Sequence, residues 1–395
     1  MIPSAEPVMS PAAPRPRGFL PEVESLRGIA VTLVFLFHTA GWLTIGNSAA
    51  QARLASLWLA FVTSGHTGVS LFFIISAFLL SRPFLAEAAG GPRVDRRHYF
   101  ERRALRILPL YWAAVVVTSI VCAERPADVW RGVPYLFFLN GVTTHFTRLP
   151  LLYAGIWWSL ATEAQFYMLL PCLPLVLQTR RRRQVGVLLL LAYVAVYALF
   201  PHGPFALLTP EARAKLGHSL FGRAPLFGFG IAAAALDQHW GARLRAWAAR
   251  TAWVRRGGAD IVLIVVLIAL AFLLRAIAGI GYTAAEANAH YWHVFEGALW
   301  TGVLLLLLLA PLRIARAFVN RRWQALGTVS YSIYMLHNPI MVRGVTVLAG
   351  GRSLGWNAWT FIVVGLLTAG CLALSAVTYW LIERPFLQRK ARITR

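Results

Sequence analysis

Acidic residues are scarce in this sequence. The 395-residue chain has 15 Asp and Glu against 38 Lys and Arg, and charged residues of both signs make up only 13% of it. Ordinary soluble domains carry about 25%. Too little charge is left to cover a water-facing surface, while 58% of the residues are hydrophobic. Lipid in place of water over much of the surface resolves the shortage.

Cysteine is scarce too. Cys122, Cys172 and Cys371 lie in or beside apolar runs without metal-ligand spacing. They read as small buried hydrophobes, and no metal site is expected. Long polar stretches are missing: no loop between apolar runs exceeds 32 residues. That leaves no room for a separate soluble domain, and there is no fixed-period repeat. The first 24 residues contain Pro3, Pro7, Pro11, Pro14, Pro16 and Pro21 but no apolar core, so they do not read as a secretory signal.

What is present is positive charge, +23 in all. Such a balance points to nucleic acid or to a membrane surface. The charges fall in short clusters between apolar runs. The basic stripe on a polar domain that nucleic acid needs is absent, so the expected partner is the lipid bilayer.

About 20 apolar residues cross a bilayer. Ten runs qualify: 28–45, 54–81, 107–122, 155–177, 184–201, 219–236, 259–280, 294–312, 325–342 and 357–382. The apolar stretch 133–142 is too short and reads as re-entrant or interfacial. With the N-terminus in the cytoplasm, inside segments hold 27 of the 38 Lys and Arg and outside segments 7. This fourfold excess follows the positive-inside rule. Counting 133–142 as a span would put Arg180–Arg183 outside. The expected fold is therefore all-α: a polytopic transmembrane bundle of about ten spans in the cell membrane, both termini cytoplasmic. Residues 1–24 read as a disordered tail, 25–386 as the membrane domain and 387–395 as a basic tail.

Charged and polar groups inside spans are costly, by about 2.5–3.5 kcal/mol on insertion scales, so those that persist are candidates for function. Arg27 stands at the cytoplasmic mouth of the first span, and His38 follows eleven residues later, about 16 Å deeper. A neutral imidazole there reads as a general base, or as a histidine bonded to a neighbouring helix. Glu163 enters its span from the other side to about 12 Å, a similar depth. It suits the support of an imidazolium at His38, or a structural ion pair with Arg223. Arg103 and Arg106 are three apart on one helical face, where guanidinium forks match phosphates or lipid headgroups. Ser330, Tyr331, Ser332, Tyr334 and His337 form a polar stripe in the tenth span, suited to a substrate cavity or to interhelical bonding. Lesser candidates are His66, Ser70 and Arg275. Glu296 lies near a span boundary and is given no role.

Taken together, these segments resemble acyltransferase family 3. The carriers are Glu24-Ser-Leu-Arg27-Gly-Ile-Ala up to His38, which looks like the family's Arg-x10-His element, and Gly68-Val-Ser-Leu-Phe-Phe-Ile-Ile-Ser-Ala-Phe-Leu-Leu. Arg103-Ala-Leu-Arg106 with Pro109 and Tyr111, and Trp158-Ser-Leu-Ala-Thr-Glu163-Ala-Gln-Phe-Tyr167, continue the likeness. Ser330–His337 and Glu383-Arg-Pro complete it over residues 22–386. The chain departs from the family pattern at Ser70 and at Ala77.

The resemblance implies a membrane O-acyltransferase that moves an acyl group, acetyl or another short chain, from acyl-CoA to a hydroxyl of a sugar or glycoside. It implies His38 as the essential catalytic residue and Arg27, Arg103 and Arg106 near the CoA. In the scheme these residues suggest, Glu163 supports His38. Ser70, Tyr167, Ser330, Tyr331 and His337 contact substrate, and no cofactor is permanently bound. Two other readings fit less of the sequence. A glycolipid transporter or flippase would explain midplane charges, but paired repeats are missing. A polyprenyl-dependent glycosyltransferase would need acidic metal-binding pairs that 15 acidic residues hardly supply.

Overall fold

The computed structural model describes residues 19–44, 57–121, 123, 125–141, 155–200, 202–288, 291–349 and 355–392. Among these the chain is helical and contains no strand. The long helices are α1 (Pro21–Thr44), α2 (Thr67–Ala88), α3 (Arg96–Val121), α4 (Trp158–Leu169) and α5 (Arg180–Leu199). There follow α6 (Pro210–His218), α7 (Leu220–Arg250), α8 (Ala259–Ile280), α9 (Tyr282–Asn288) and α10 (Trp292–Leu309). The last are α11 (Arg321–Thr328), α12 (Ser330–Ala349), α13 (Ala358–Thr378) and α14 (Arg384–Arg392).

Local chemistry sets several of the starts. Pro21 occupies the first turn of α1, where its missing N–H costs nothing, and Glu22 and Glu24 face the positive helix end. Residues 21–24, assigned to the tail by composition, are thus the first turn of a helix; residues 1–18 lie outside the described residues. Thr179, Thr209, Ser219, Asn320 and Asn357 cap α5, α6, α7, α11 and α13 with side-chain oxygens.

Nine helices among the described residues are long and apolar enough to cross a membrane. They match nine of the ten expected spans. The tenth, 325–342, is broken at Val329 into α11 and α12. Helix α12 has the length to cross, 20 residues, but its Ser, Tyr and His stripe makes it polar. Stretch 126–141 forms only short helical turns, at Pro126–Gly132, Val133–Leu136 and Leu139–Gly141, as its length required.

The helices around the first span approach at backbone distance. A Cβ on Gly28 would collide with the Trp323 carbonyl, and one on Gly327 with the Glu24 carbonyl. Those two glycines seat α1 on α11 and bring Arg27 beside the start of α12. Gly68 lets α2 meet the Ala30 carbonyl of α1 in the same way. Across the other face of α2, Gly230 of α7 sits under Ala77. Ala77 therefore lies in a helix–helix contact. The basic loops gather at one end of the bundle: Arg82 pairs with Asp237 at 3.3 Å, and Arg313 donates to the Arg255 carbonyl at 3.0 Å.

Candidate functional site

A cavity of about 410 Å³ opens among α1, α2, α3, α4, α12 and α14. Arg27, Arg103 and Arg106 line it, each from the position its spacing indicated. Glu163 and Tyr167 of α4 and Ser330 and Tyr331 of α12 form the facing wall. Seven of the ten sequence-predicted residues thus share one cavity, which falls in the size range of small-molecule sites.

Each guanidinium is held from behind or beside. Arg27 donates to Glu24 Oε2 and to Ser330 Oγ, both at 3.1 Å. Arg106 donates to Glu383 Oε2 at 3.3 Å, and Ser332 donates to the other oxygen of that carboxylate. Neither Glu24 nor Glu383 is on the cavity wall. They fix the cations without filling the space. Arg103 lies over the Tyr167 ring at 5.9 Å and Arg106 over the Tyr331 ring at 5.8 Å. Tyr331 is itself anchored by donating to the Ile107 carbonyl at 2.8 Å.

Three predicted residues lie elsewhere. Ser70 is buried and does not line the cavity. His38 and His337 are also off its wall, and they face each other. His38 Nδ1 is 2.8 Å from the Val34 carbonyl, which can only accept, so that nitrogen carries a proton. His337 Nδ1 is 3.0 and 2.9 Å from the carbonyls of Ile333 and Tyr334 and carries a proton for the same reason. That leaves the lone pair of His337 Nε2 turned toward His38 Nδ1 at 3.4 Å. The second nitrogen of His38, Nε2, then holds a lone pair of its own.

Two expectations require correction. Glu163 does not partner His38: it accepts from Ser76 of α2 and stands beside Tyr167. Nor does it pair with Arg223. Equal depth placed the two groups in one layer, but the azimuth of α4 points Glu163 at the cavity while α1 points His38 at α12. Tyr334 links the two places. It lines the cavity, its hydroxyl is 2.5 Å from Ser159 Oγ and 2.8 Å from the Ile156 carbonyl, and its ring lies 5.8 Å from that of His337.

Sequence reading missed Ser76, Ser159 and Lys390 as wall residues, while Tyr334 lines the cavity as a member of the polar stripe. Lys390 follows Glu383, which the structure buries, by seven residues, two helical turns, and so shares its face.

Arg223 belongs to a second polar cluster, at the opposite end from the basic loops. Its guanidinium pairs with Glu286 at 3.0 Å, and His293 bridges Glu286 at 3.0 Å and Glu296 at 2.9 Å. Trp300 donates to Thr67 at 2.7 Å, and Thr67 donates on to Glu296. All are buried. Burial alone would favour a neutral Glu286, but Arg223 and His293 outweigh it and hold that carboxyl well below the usual range. Glu296, passed over as a boundary residue, is a structural member of this cluster.

An all-helical bundle with nine membrane-length helices among the described residues, and an internal cavity walled in part by arginines, is the architecture of a multi-pass membrane protein. The chain belongs to acyltransferase family 3, whose acyltransferase-domain model matches residues 20–380. It is therefore a membrane acyltransferase. BcsY of Komagataeibacter xylinus, named as a membrane-bound transacylase, is 26% identical over 94% of this chain and 84% of its own. Nodulation protein 10 of Rhizobium leguminosarum is 23% identical over 98% of each. The O-acetyltransferase OatA of Staphylococcus aureus is 25% identical over 39% of this chain and 24% of its own. No solved structure matches the chain.

Proposed function

We propose that this protein transfers a short acyl group, such as acetyl, from acyl-CoA to a hydroxyl of a sugar or glycoside, in the cell membrane with both termini and the cavity mouth on the cytoplasmic side. The observation that carries the reading is the convergence of Arg27, Arg103 and Arg106 on one cavity at the basic end of the bundle. Three guanidiniums suit the phosphates of a nucleotide-bearing donor. The name O-acetyltransferase carried by OatA favours oxygen as the acceptor atom.

In this reading the phosphates bind at the arginines and the slim pantetheine arm reaches inward past Tyr334. The acceptor oxygen attacks the thioester carbonyl carbon while its proton passes to His38 Nε2. The CoA sulfur then leaves with that proton, so an ester and free CoA form and the imidazole returns to its starting state. His38 Nδ1–H donates to the Val34 carbonyl, and the lone pair of His337 Nε2, 3.4 Å from that nitrogen, steadies the imidazolium electrostatically, the task first given to Glu163. Glu163 and Tyr167, on the wall, offer an acceptor and a donor to the polar parts of either substrate. Tyr334 must swing from Ser159 to connect the cavity with the histidines.

The test is acyl-CoA consumption by the purified protein, read as free CoA released on addition of simple glycosides. Release that depends on the glycoside is the expected result. Intact acyl-CoA, with glycolipid crossing vesicles that contain the protein, would replace this reading with that of a flippase.

A further inference from the structure

Helix α5 stands apart from the bundle. Of its 20 residues only Tyr197 is buried. At its start it packs on the short helix Leu173–Leu177 that continues α4. Gly186 permits that approach, since a Cβ there would collide with the Val176 side chain. Beside the contact a groove of about 520 Å³ opens between the two helices. Leu175 and Val176 line one side, Val185 and Leu189 the other, and Arg181 and Arg182 the end at the start of α5. Arg181, Val185 and Leu189 recur every four residues, so one stripe of α5 carries the groove from charge to hydrocarbon. The charged end lies at the basic end of the bundle, where Arg96 at the start of α3 donates to the Pro171 carbonyl at 3.3 Å.

The positive charge at this groove has no counterpart in the chain. Residues 164–210 contain no Asp or Glu. Among the described residues none of Arg180, Arg181, Arg182 and Arg183 forms an ion pair. All four are exposed, so an outside anion can reach them. Membrane topology asks for positive charge at such a turn but not for an apolar groove running from it. The length of the groove fits a particular occupant. From Arg181 to Leu189 the helix advances about 12 Å, close to the depth of one leaflet in a hydrocarbon core of about 30 Å. A free phosphate would meet the arginines and leave the apolar walls bare. A lipid with an anionic headgroup matches both.

We propose that this groove binds an anionic phospholipid, with the phosphate held by Arg181 and Arg182 and one acyl chain lying along Val176, Val185 and Leu189. Arginine forks match phosphate oxygens, and basic pockets between spanning helices recognise acidic headgroups. The groove shares no lining residue with the arginine-walled cavity, so the site stands whether or not that cavity takes acyl-CoA.

The experiment is native mass spectrometry of the full-length protein in detergent, titrated separately with phosphatidylglycerol, phosphatidylcholine and glycerol phosphate. The wild type is expected to take up a first phosphatidylglycerol more tightly than phosphatidylcholine or glycerol phosphate. R181Q/R182Q should weaken that first binding by about thirtyfold, the scale of two arginines beside a charged headgroup. R180Q/R183Q removes the same charge from positions off the groove and should keep most of the affinity. V185W narrows the groove with both arginines in place and should weaken binding too. Equal losses in the two arginine pairs would reduce the effect to diffuse surface charge and overturn the proposal. Unchanged binding in R181Q/R182Q, equal affinity for phosphatidylcholine, or equally tight glycerol phosphate would overturn it as well.

Discussion

His337 Nε2 faces His38 Nδ1 at 3.4 Å, and the other contacts of both rings settle which nitrogen carries each proton. The pair comes from helices almost 300 residues apart in sequence, joined by the seating of α1 on α11 and α12. In this arrangement His38 presents a lone pair on Nε2 while His337 backs the opposite nitrogen.

Replacement of His337 therefore tests positioning apart from binding. His337→Phe fills the space but removes the Nε2 lone pair, and kcat is expected to fall at least tenfold, toward the lower end of general-base effects. KM for acyl-CoA should stay within about twofold. His337→Gln, which can place an amide oxygen near the lost Nε2, should recover much of the rate. Steady-state kinetics on the three proteins decide it, and an equal loss in Phe and Gln variants would reduce His337 to packing.

Arg103 and Arg106 make separable contributions. Arg103→Gln should raise KM for acyl-CoA about tenfold, as expected for one charge-assisted contact, with little change in thermal stability. Arg106→Gln should raise KM and also lower stability by about 1–3 kcal/mol, because Glu383 is buried and loses its cation. Kinetics and thermal unfolding in detergent, measured together, check the contrast.

The arginines were legible because spacing along one helix fixes both depth and face. Arg103 and Arg106 are three apart, so the turn that presents one presents the other. Between helices only depth was legible. His38 and Glu163 reach one layer from opposite sides, yet rotation about each helix axis decides whether they meet, and it sends them to different neighbours. Arg223 had the same ambiguity: its partner Glu286 lies on a short helix outside the spans, where no periodicity announced it. Lys390 was hidden by composition, since a basic end reads as a solvated tail unless its helix is known to fold back.

The second cluster predicts acid sensitivity. Glu286 has its folded-state value lowered by Arg223 and His293 against the opposing effect of burial. A lowered carboxylate stabilises fully above its unfolded value of about 4.3 and loses that contribution as pH falls toward the folded value. The thermal midpoint of the wild type should drop more between pH 6 and pH 3 than that of Glu286→Gln, which is less stable at pH 6. Parallel curves would contradict it.

The close approach of α1 to α11 gives a packing prediction. Gly327→Ala pushes a methyl into the Glu24 carbonyl, which is backbone and cannot turn aside. A loss of about 1–3 kcal/mol is expected, typical of overpacking. The same shift would move Glu24 from Arg27, so KM for acyl-CoA should rise as well. Thermal unfolding and kinetics of this variant check both effects.

The most direct measurement is a single turnover of radiolabelled acetyl-CoA by purified wild type and His38→Ala in the presence of a glycoside acceptor. The wild type should yield labelled ester, and the variant should bind CoA with unchanged affinity but form ester at least a hundredfold more slowly, in line with loss of a general base. Ester formation by His38→Ala at the wild-type rate would contradict the assignment of His38 as the group that takes the acceptor's proton.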